Sequence, residues 1–289
     1  MILVLGATGN VGSEVVAGLR AREVDFSAAV RDIEADPRRL PAGTATRAFD
    51  FLDRSTHASA FAGVRSVFLV RPPALATVER DLRPALEAAK LAGVEHVVFL
   101  SLQGVEHNRF VPHHALERVL VELGFAYTFL RPSFFMQNLS TTHQAEIRDR
   151  DEIFVPAGEG RTSFVDVRDL AEVAVDCLCD AKHRGKAYDL TGLEAPTYAE
   201  VAALLSAALG RTIRYANPSL PAFILRRHRT EHQPLGFVMV MAALYTVCRL
   251  GKAGRVTHEL AQLLGRPPRS LAEFIADNRA AWERVRQPG

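Results

Sequence analysis

The sequence reads as an α/β protein of the Rossmann type: a doubly wound parallel sheet with a smaller, mostly helical C-terminal substrate domain. Two observations predict this. Short apolar strands alternate with amphipathic helical stretches as far as Pro132, the rhythm of consecutive βαβ units. The chain also opens on Met1-Ile-Leu-Val-Leu-Gly-Ala-Thr-Gly-Asn-Val-Gly12, an apolar strand that runs into glycines at 6, 9 and 12.

Ile2 to Leu5 form a strand apolar on both faces, as the centre of a parallel sheet requires. Gly6 allows a sharp turn, Gly9 leaves room for a phosphate, and Gly12 lets the following helix sit close to the strand. That helix would point unpaired N–H groups and the positive end of its dipole at the turn, which suits a diphosphate.

The remaining strands follow in order. Phe26 to Val30 stops at Arg31, and an arginine-rich segment, 31–39, leads to a third strand near Thr46 to Phe49. Ser66 to Val70, His96 to Leu100 and Ala126 to Leu130 complete the pattern. Helices are expected at 54–62, 78–92 and 112–124, the last opening on Pro112, a good first-turn residue. Beyond Pro132 a helix is expected over 134–148 and a short strand at 153–155. A helix ending near Cys179 and a strand at Tyr188 return to the main sheet. From Thr197 onward the spacing predicts helices at 197–209, 219–229, 235–250, 257–264 and 270–284. Residues 1–150, with 164–191 returning to them, therefore read as the nucleotide-binding domain; 151–163 and 192–289 read as the cap.

Composition narrows the function classes. Of 289 residues 48% are hydrophobic and 24% charged, and the net charge is +2 without a run of like charges. That balance gives no support for a nucleic-acid partner. The apolar run Leu235 to Cys248 falls short of the ~20 residues a membrane span needs; a buried helix, acting as a lid or a homodimer contact, is expected instead. Cys177, Cys179 and Cys248 read as free thiols in a reducing cytoplasm, and no metal site is expected.

In such sheets ligands lie across the carboxyl ends of the strands. That rule selects Gly6, Thr8, Gly9, Asn10, Val11, Gly12, Arg31, Asp50, Phe51, Val70, Arg71, Pro72, Ser101, Leu102, Pro132, Ser133 and Phe134 for cofactor binding. A guanidinium at Arg31 can pair with a 2′-phosphate, so NADP(H) is favoured over NAD(H). Asp50 meets the adenine amino group or merely closes its strand as a turn residue. Phe135, Met136 and Asn138 are placed to wall a planar small-molecule substrate or to pack a core.

Several segments together carry a family resemblance. They are GATGNVG at 6–12, VR at 30–31, FLVRPP at 68–73, FLS at 99–101, HHALERVL at 113–120, TFLRPSFFMQNL at 128–139, IFVPAGEGRTSFVDVRDLAEVA at 153–174 and LLGRPPRSLAEF at 263–274. The chain resembles the NmrA-like, NAD(P)H-binding atypical short-chain dehydrogenases, which include type-2 quinone reductases, isoflavone-type reductases and cofactor-sensing regulators.

The resemblance implies an NAD(P)H-dependent oxidoreductase, yet the usual Tyr-x-x-x-Lys pair is missing. Four residues after the tyrosines at 127, 188, 198, 215 and 245 stand Arg131, Gly192, Ala202, Ser219 and Arg249. Aligned on Glu117 and Arg131, His113 falls at the family's lysine and Arg109 at its tyrosine. His113 is then the candidate proton donor or ribose ligand, and Ser101 a candidate support for a substrate oxygen. Reducing an isolated ketone makes a basic alkoxide that needs a positioned acid, whereas a quinone gives a far less basic oxygen. The expected reaction is hydride transfer to a quinone or other conjugated acceptor. The alternatives are a binding protein that senses NADP(H) without turnover and a tailoring ketoreductase.

Overall fold

The computed structural model describes residues 1–32 and 40–284; the arginine-rich stretch after Asp32 lies largely outside them. In chain order the first elements are β1 (Ile2–Val4), α1 (Asn10–Ala21), β2 (Phe26–Val30), β3 (Thr46–Ala48), α2 (His57–Phe61), β4 (Ser66–Val70), α3 (Val78–Asp81), α4 (Arg83–Leu91), β5 (His96–Leu100), α5 (Pro112–Glu122) and β6 (Ala126–Pro132). Next come β7 (Phe134–Phe135), α6 (Gln137–Ser140), α7 (Gln144–Arg150), β8 (Glu152–Ile153), β9 (Phe164–Val165), α8 (Val167–Cys179) and β10 (Lys186–Leu190). The last are α9 (Tyr198–Leu209), β11 (Arg214–Tyr215), α10 (Leu220–Leu225), α11 (Leu235–Arg249), α12 (Glu259–Leu264) and α13 (Leu271–Asp277).

Two compact units result. The first holds Met1–Pro132, Val167–Leu190 and Glu259–Arg266; the second holds Ser133–Asp166, Thr191–His258 and the chain from Pro267. Residues 133–150, 164–166 and 191, expected with the nucleotide-binding part, thus fall in the second unit, and 259–266, expected in the cap, in the first.

In the first unit seven strands pair in parallel in the order β10-β6-β5-β4-β1-β2-β3. Every strand therefore ends on the same edge, and the reversal of order between β1 and β4 opens a crevice there. β1, β4 and β5 are buried almost throughout, which accounts for their unbroken apolar runs. α8 packs on α1, where an added Cβ at Gly18 would stand 3.0 Å from Val175 Cγ2.

The expected helix over 78–92 is two helices. Pro84 has no N–H to offer the ladder, and the chain breaks at Leu82 between α3 and α4. β6 continues past Leu130 because β10 pairs with it as far as Pro132.

The second unit has its own core, built around Phe223, Tyr245, Phe274 and Trp282. The expected helix over 134–148 starts later than its spacing suggests. Phe134 and Phe135 instead pair with Phe164 and Val165 as β7–β9, and the helical turns begin at Gln137. Ladder bonds to a distant strand outweigh local propensity there. A second short pair, β8–β11, joins Glu152–Ile153 to Arg214–Tyr215. The stretch 270–284 divides into α13 and a tighter turn over Arg279–Trp282. Behind these elements Arg227 meets Glu146 at 2.7 Å, and His143 bridges Glu146 (2.7 Å) and the Tyr245 hydroxyl (2.6 Å), all four side chains being buried. Buried charges persist only when paired in this way.

Candidate active site

The glycine turn is built as its spacing demands. Gly6 takes φ +72°, a left-handed conformation, and an added Cβ there would meet Val70 Cβ at 3.1 Å. Gly9 N–H donates to Gly6 O at 3.0 Å, closing the turn, and Gly9 becomes the cap of α1. Gly12 leaves no choice of residue: a Cβ would stand 2.0 Å from Gly6 O. The helix start carries no side-chain cap and no acidic residue in its first turn. Gly9 and Asn10 are exposed, Thr8 is half-buried, and Val11 turns into the core. An open N-terminus with an unneutralised dipole is the arrangement that receives an anion.

Arg31, at the end of β2, is exposed and makes no hydrogen bond or ion pair among the described residues. At the end of β3 the Asp50 carboxylate accepts from Leu52 N–H at 2.9 Å, and its carbonyl accepts from His57 Nε2 at 2.9 Å. It thus closes the turn. Phe51 is buried against Phe49, with ring centroids 4.8 Å apart. After Val70, Arg71 folds the Pro-rich loop around its own guanidinium. Nη1 donates to the carbonyls of Pro72 (2.9 Å), Pro73 (3.2 Å) and Leu75 (2.9 Å). Its Nε is buried without a partner, and burial lowers the pKa of the group.

Ser101 ends β5 with its hydrogen already committed. Its hydroxyl donates to Glu117 Oε1 at 2.6 Å. Arg131 closes on the same carboxylate with Nε to Oε1 at 3.0 Å and Nη2 to Oε2 at 2.7 Å, and Nη1 reaches Glu106 at 3.3 Å. Glu117 is nearly buried, so this fork ties β5, α5 and β6 together. Leu102, beside Ser101, is half-buried.

His113 sits in the first turn of α5, stacked on Phe99 with ring centroids 5.9 Å apart and planes 19° apart. Burial, aided by the nearby Arg71 cation, pushes its pKa down to about 4. The ring is neutral at pH 7. Neither ring nitrogen has a partner among the described residues, unlike His114, whose Nδ1 donates to Val105 O at 3.1 Å.

Pro132 closes β6 in the first unit. Ser133, Phe134, Phe135, Met136 and Asn138 belong to the second. There Met136 is 2% exposed and packs in the core, while Phe134 and Phe135 are half-buried on β7. The Asn138 amide has no partner among the described residues, and Ser133 Oγ is buried without one.

Spacing alone did not reveal the Ser101–Glu117–Arg131 fork or the loop wrapped on Arg71. Glu117 falls on the buried face of α5, one turn after His113, and a carboxylate on an apolar helix face is the signal that a partner must exist. Among the described residues no group of three or more His, Cys, Asp or Glu could hold a metal, and no helix is long and apolar enough to cross a membrane.

With this geometry established, known proteins offer a comparison. An NAD(P)H azoreductase of Xenophilus azovorans is 39% identical over 98% of this chain and 99% of its own. The structure of an NADPH-dependent quinone oxidoreductase of Escherichia coli, complexed with NADPH, superposes with a TM-score of 0.86 at 26% identity, covering 96% of this chain and 99% of that one. The Citrobacter sp. triphenylmethane reductase complexed with NADP(H) superposes with a TM-score of 0.84 at 25% identity, over 96% and 99%. The model of the NmrA-like family matches residues 1–275, and this chain belongs to that family.

Proposed function

We propose that this chain is an NADPH-dependent reductase of quinones or other conjugated, aromatic small molecules. The observation that carries the reading is the glycine turn. Gly12 packs where no side chain fits, and α1 starts uncapped beside exposed Gly9 and Asn10. Those residues fit a dinucleotide diphosphate, and Arg31 is free to take a 2′-phosphate. Bound NADPH supplies a hydride to the acceptor.

The neutral His113 ring decides which acceptors suit the site. Protonation of His113 requires a pH near 4, so at pH 7 it offers one N–H hydrogen bond instead of a mobile proton. Such a donor orients and polarises a carbonyl, but it gives up its proton far less readily than a tyrosine held beside a lysine. Ser101 adds no free hydrogen, because Glu117 holds it. The missing Tyr-x-x-x-Lys pair points the same way. Acceptors whose reduced form is stabilised by conjugation need no strong acid, and the names of the relatives above (azo compounds, quinones, triphenylmethanes) share that chemistry. Phe135 and Asn138 are our candidates for contacting the acceptor, whereas Met136, 2% exposed, packs in the core.

The test is loss of reduced-cofactor absorbance with a panel of quinones, azo dyes, enones and simple ketones. Turnover of the conjugated members and not of the ketones is expected. Turnover of ketones alone would overturn the reading, and tight NADPH binding without turnover of any acceptor would favour a cofactor sensor.

A further inference from the structure

Helix α11 has two apolar faces. Val238, Met241, Ala242, Tyr245 and Cys248 are buried in the second unit's core. The opposite face carries Phe237, Met239, Val240, Leu244, Val247 and, just past the helix end, Leu250, exposed by 42% to 64%. No charged residue interrupts the chain from Leu235 to Cys248. A surface helix ordinarily answers its buried stripe with a polar one. This one does not.

Those six side chains leave roughly 600 Å² of apolar surface open, at the upper end of what ordinary monomers show and close to the ~800 Å² per partner of a standard interface. One kind of occupant needs no further surface elsewhere. A second copy of the chain brings the same stripe by symmetry, so a two-fold pairing is self-complementary. Along the middle of the open face run Gly236, Val240, Ala243, Val247 and Gly251, three or four residues apart and all exposed. The small side chains at both ends and at the centre of this row let two helix backbones approach closely.

We propose that this face is covered by a second copy of this chain, the two α11 helices lying antiparallel about a two-fold axis near Ala243. Val240 then faces Val247 of the partner subunit. A lipid surface is the less suitable occupant, because an interfacial helix sets a basic polar face opposite its apolar one, and here that position is core.

Sedimentation velocity of the full chain between about 1 and about 100 μM tests this, with vesicle co-sedimentation alongside. A dimer is expected for the native sequence. Val240→Lys and Val247→Glu should each weaken self-association by at least about 100-fold, a charge in an apolar interface being that costly. Both positions are exposed in the single chain, so circular dichroism should show the fold intact. Mixing the two variants should restore a dimer, since the antiparallel arrangement sets the introduced ammonium of one chain against the introduced carboxylate of the other only in the mixture. A native chain that stays monomeric throughout, variants that dimerise like the native chain, or a mixture that stays monomeric overturns the proposal. So does a monomer that binds vesicles of phosphatidylcholine and phosphatidylglycerol.

Discussion

The hydroxyl of Ser101 gives its hydrogen to Glu117 Oε1 across 2.6 Å, and Arg131 grips the same carboxylate from the other side. Ser101 is therefore a strut at the end of β5. Ser101→Ala should cost about 1 kcal/mol of stability and leave kcat within about threefold. Glu117→Ala leaves Arg131 with Glu106 and takes the acceptor from Ser101, and should cost on the order of 3 kcal/mol. Denaturant titration reads the stability, and steady-state kinetics reads the rate. A Ser101→Ala variant of unchanged stability whose kcat fell 100-fold would place the hydroxyl on the substrate instead.

Gly12 admits no side chain, since a Cβ would lie 2.0 Å from Gly6 O. Gly12→Ala must push α1 off the turn and misalign the donors at its start. NADPH affinity by isothermal titration should fall at least about 100-fold, the equivalent of ~3 kcal/mol. Unchanged affinity would remove the turn from the site.

Arg31 stands at the end of β2 with its guanidinium free among the described residues. Arg31→Asp should raise the KM for NADPH by about tenfold or more while leaving that for NADH little changed, as loss of one bidentate phosphate contact predicts. An equal effect on both cofactors would detach Arg31 from the 2′-phosphate.

His113 has its pKa pushed down to about 4 by burial and by Arg71. Its charge change therefore lies well below neutrality, and kcat/KM for a quinone should show no ionisation of this ring between about pH 5.5 and about pH 8. His113→Gln, which keeps an N–H donor, should retain much more activity than His113→Ala, for which a loss of about tenfold or more is expected. A profile that falls with a midpoint near 6.5 and flattens in the glutamine variant would show that the ring works in its charged form.

His96 lies 1% exposed between β5 and β6, where its Nε2 donates to Thr128 Oγ1 at 2.9 Å and Thr128 donates onward to His183 O at 2.8 Å. Burial, with the Arg184 and His183 charges adding to it, lowers its pKa from 6.5 to about 4. Above pH 6.5 the ring is neutral folded or unfolded. Below it the unfolded chain binds a proton that the folded chain refuses until about pH 4, so stability falls across that window. The full loss from this group is on the order of 3 kcal/mol. Urea titrations at about pH 7 and about pH 4.5 should show a steeper acid loss for the native chain than for His96→Gln. Equal slopes would mean that other groups carry the acid sensitivity.

Much of the first unit was legible in the residue order because its signals are local. A strand buried on both faces must be apolar throughout, and a turn that crowds Gly12 against Gly6 tolerates only glycine; each rule acts within a dozen residues. The candidate site was legible as a set of strand ends for the same reason, since parallel pairing brings all those ends to one edge. Side-chain commitments were not. Which of the two readings of Asp50 its hydrogen bonds follow, that Ser101 is held by Glu117 and that Arg71 wraps its own loop depend on partners' positions. Phe134 and Phe135 became a strand only because Phe164 and Val165 arrive alongside them from thirty residues away.

The sequence by itself determined the parallel sheet, the glycine turn at its centre and the residues that stand at the carboxyl ends of its strands, since periodicity and backbone sterics operate along the chain. Only the tertiary structure decided which of those side chains remain free. Burial and hydrogen-bond partners, not residue type, fix the neutral state of His113 and the engaged state of Ser101, and those are set by elements that meet across long stretches of chain.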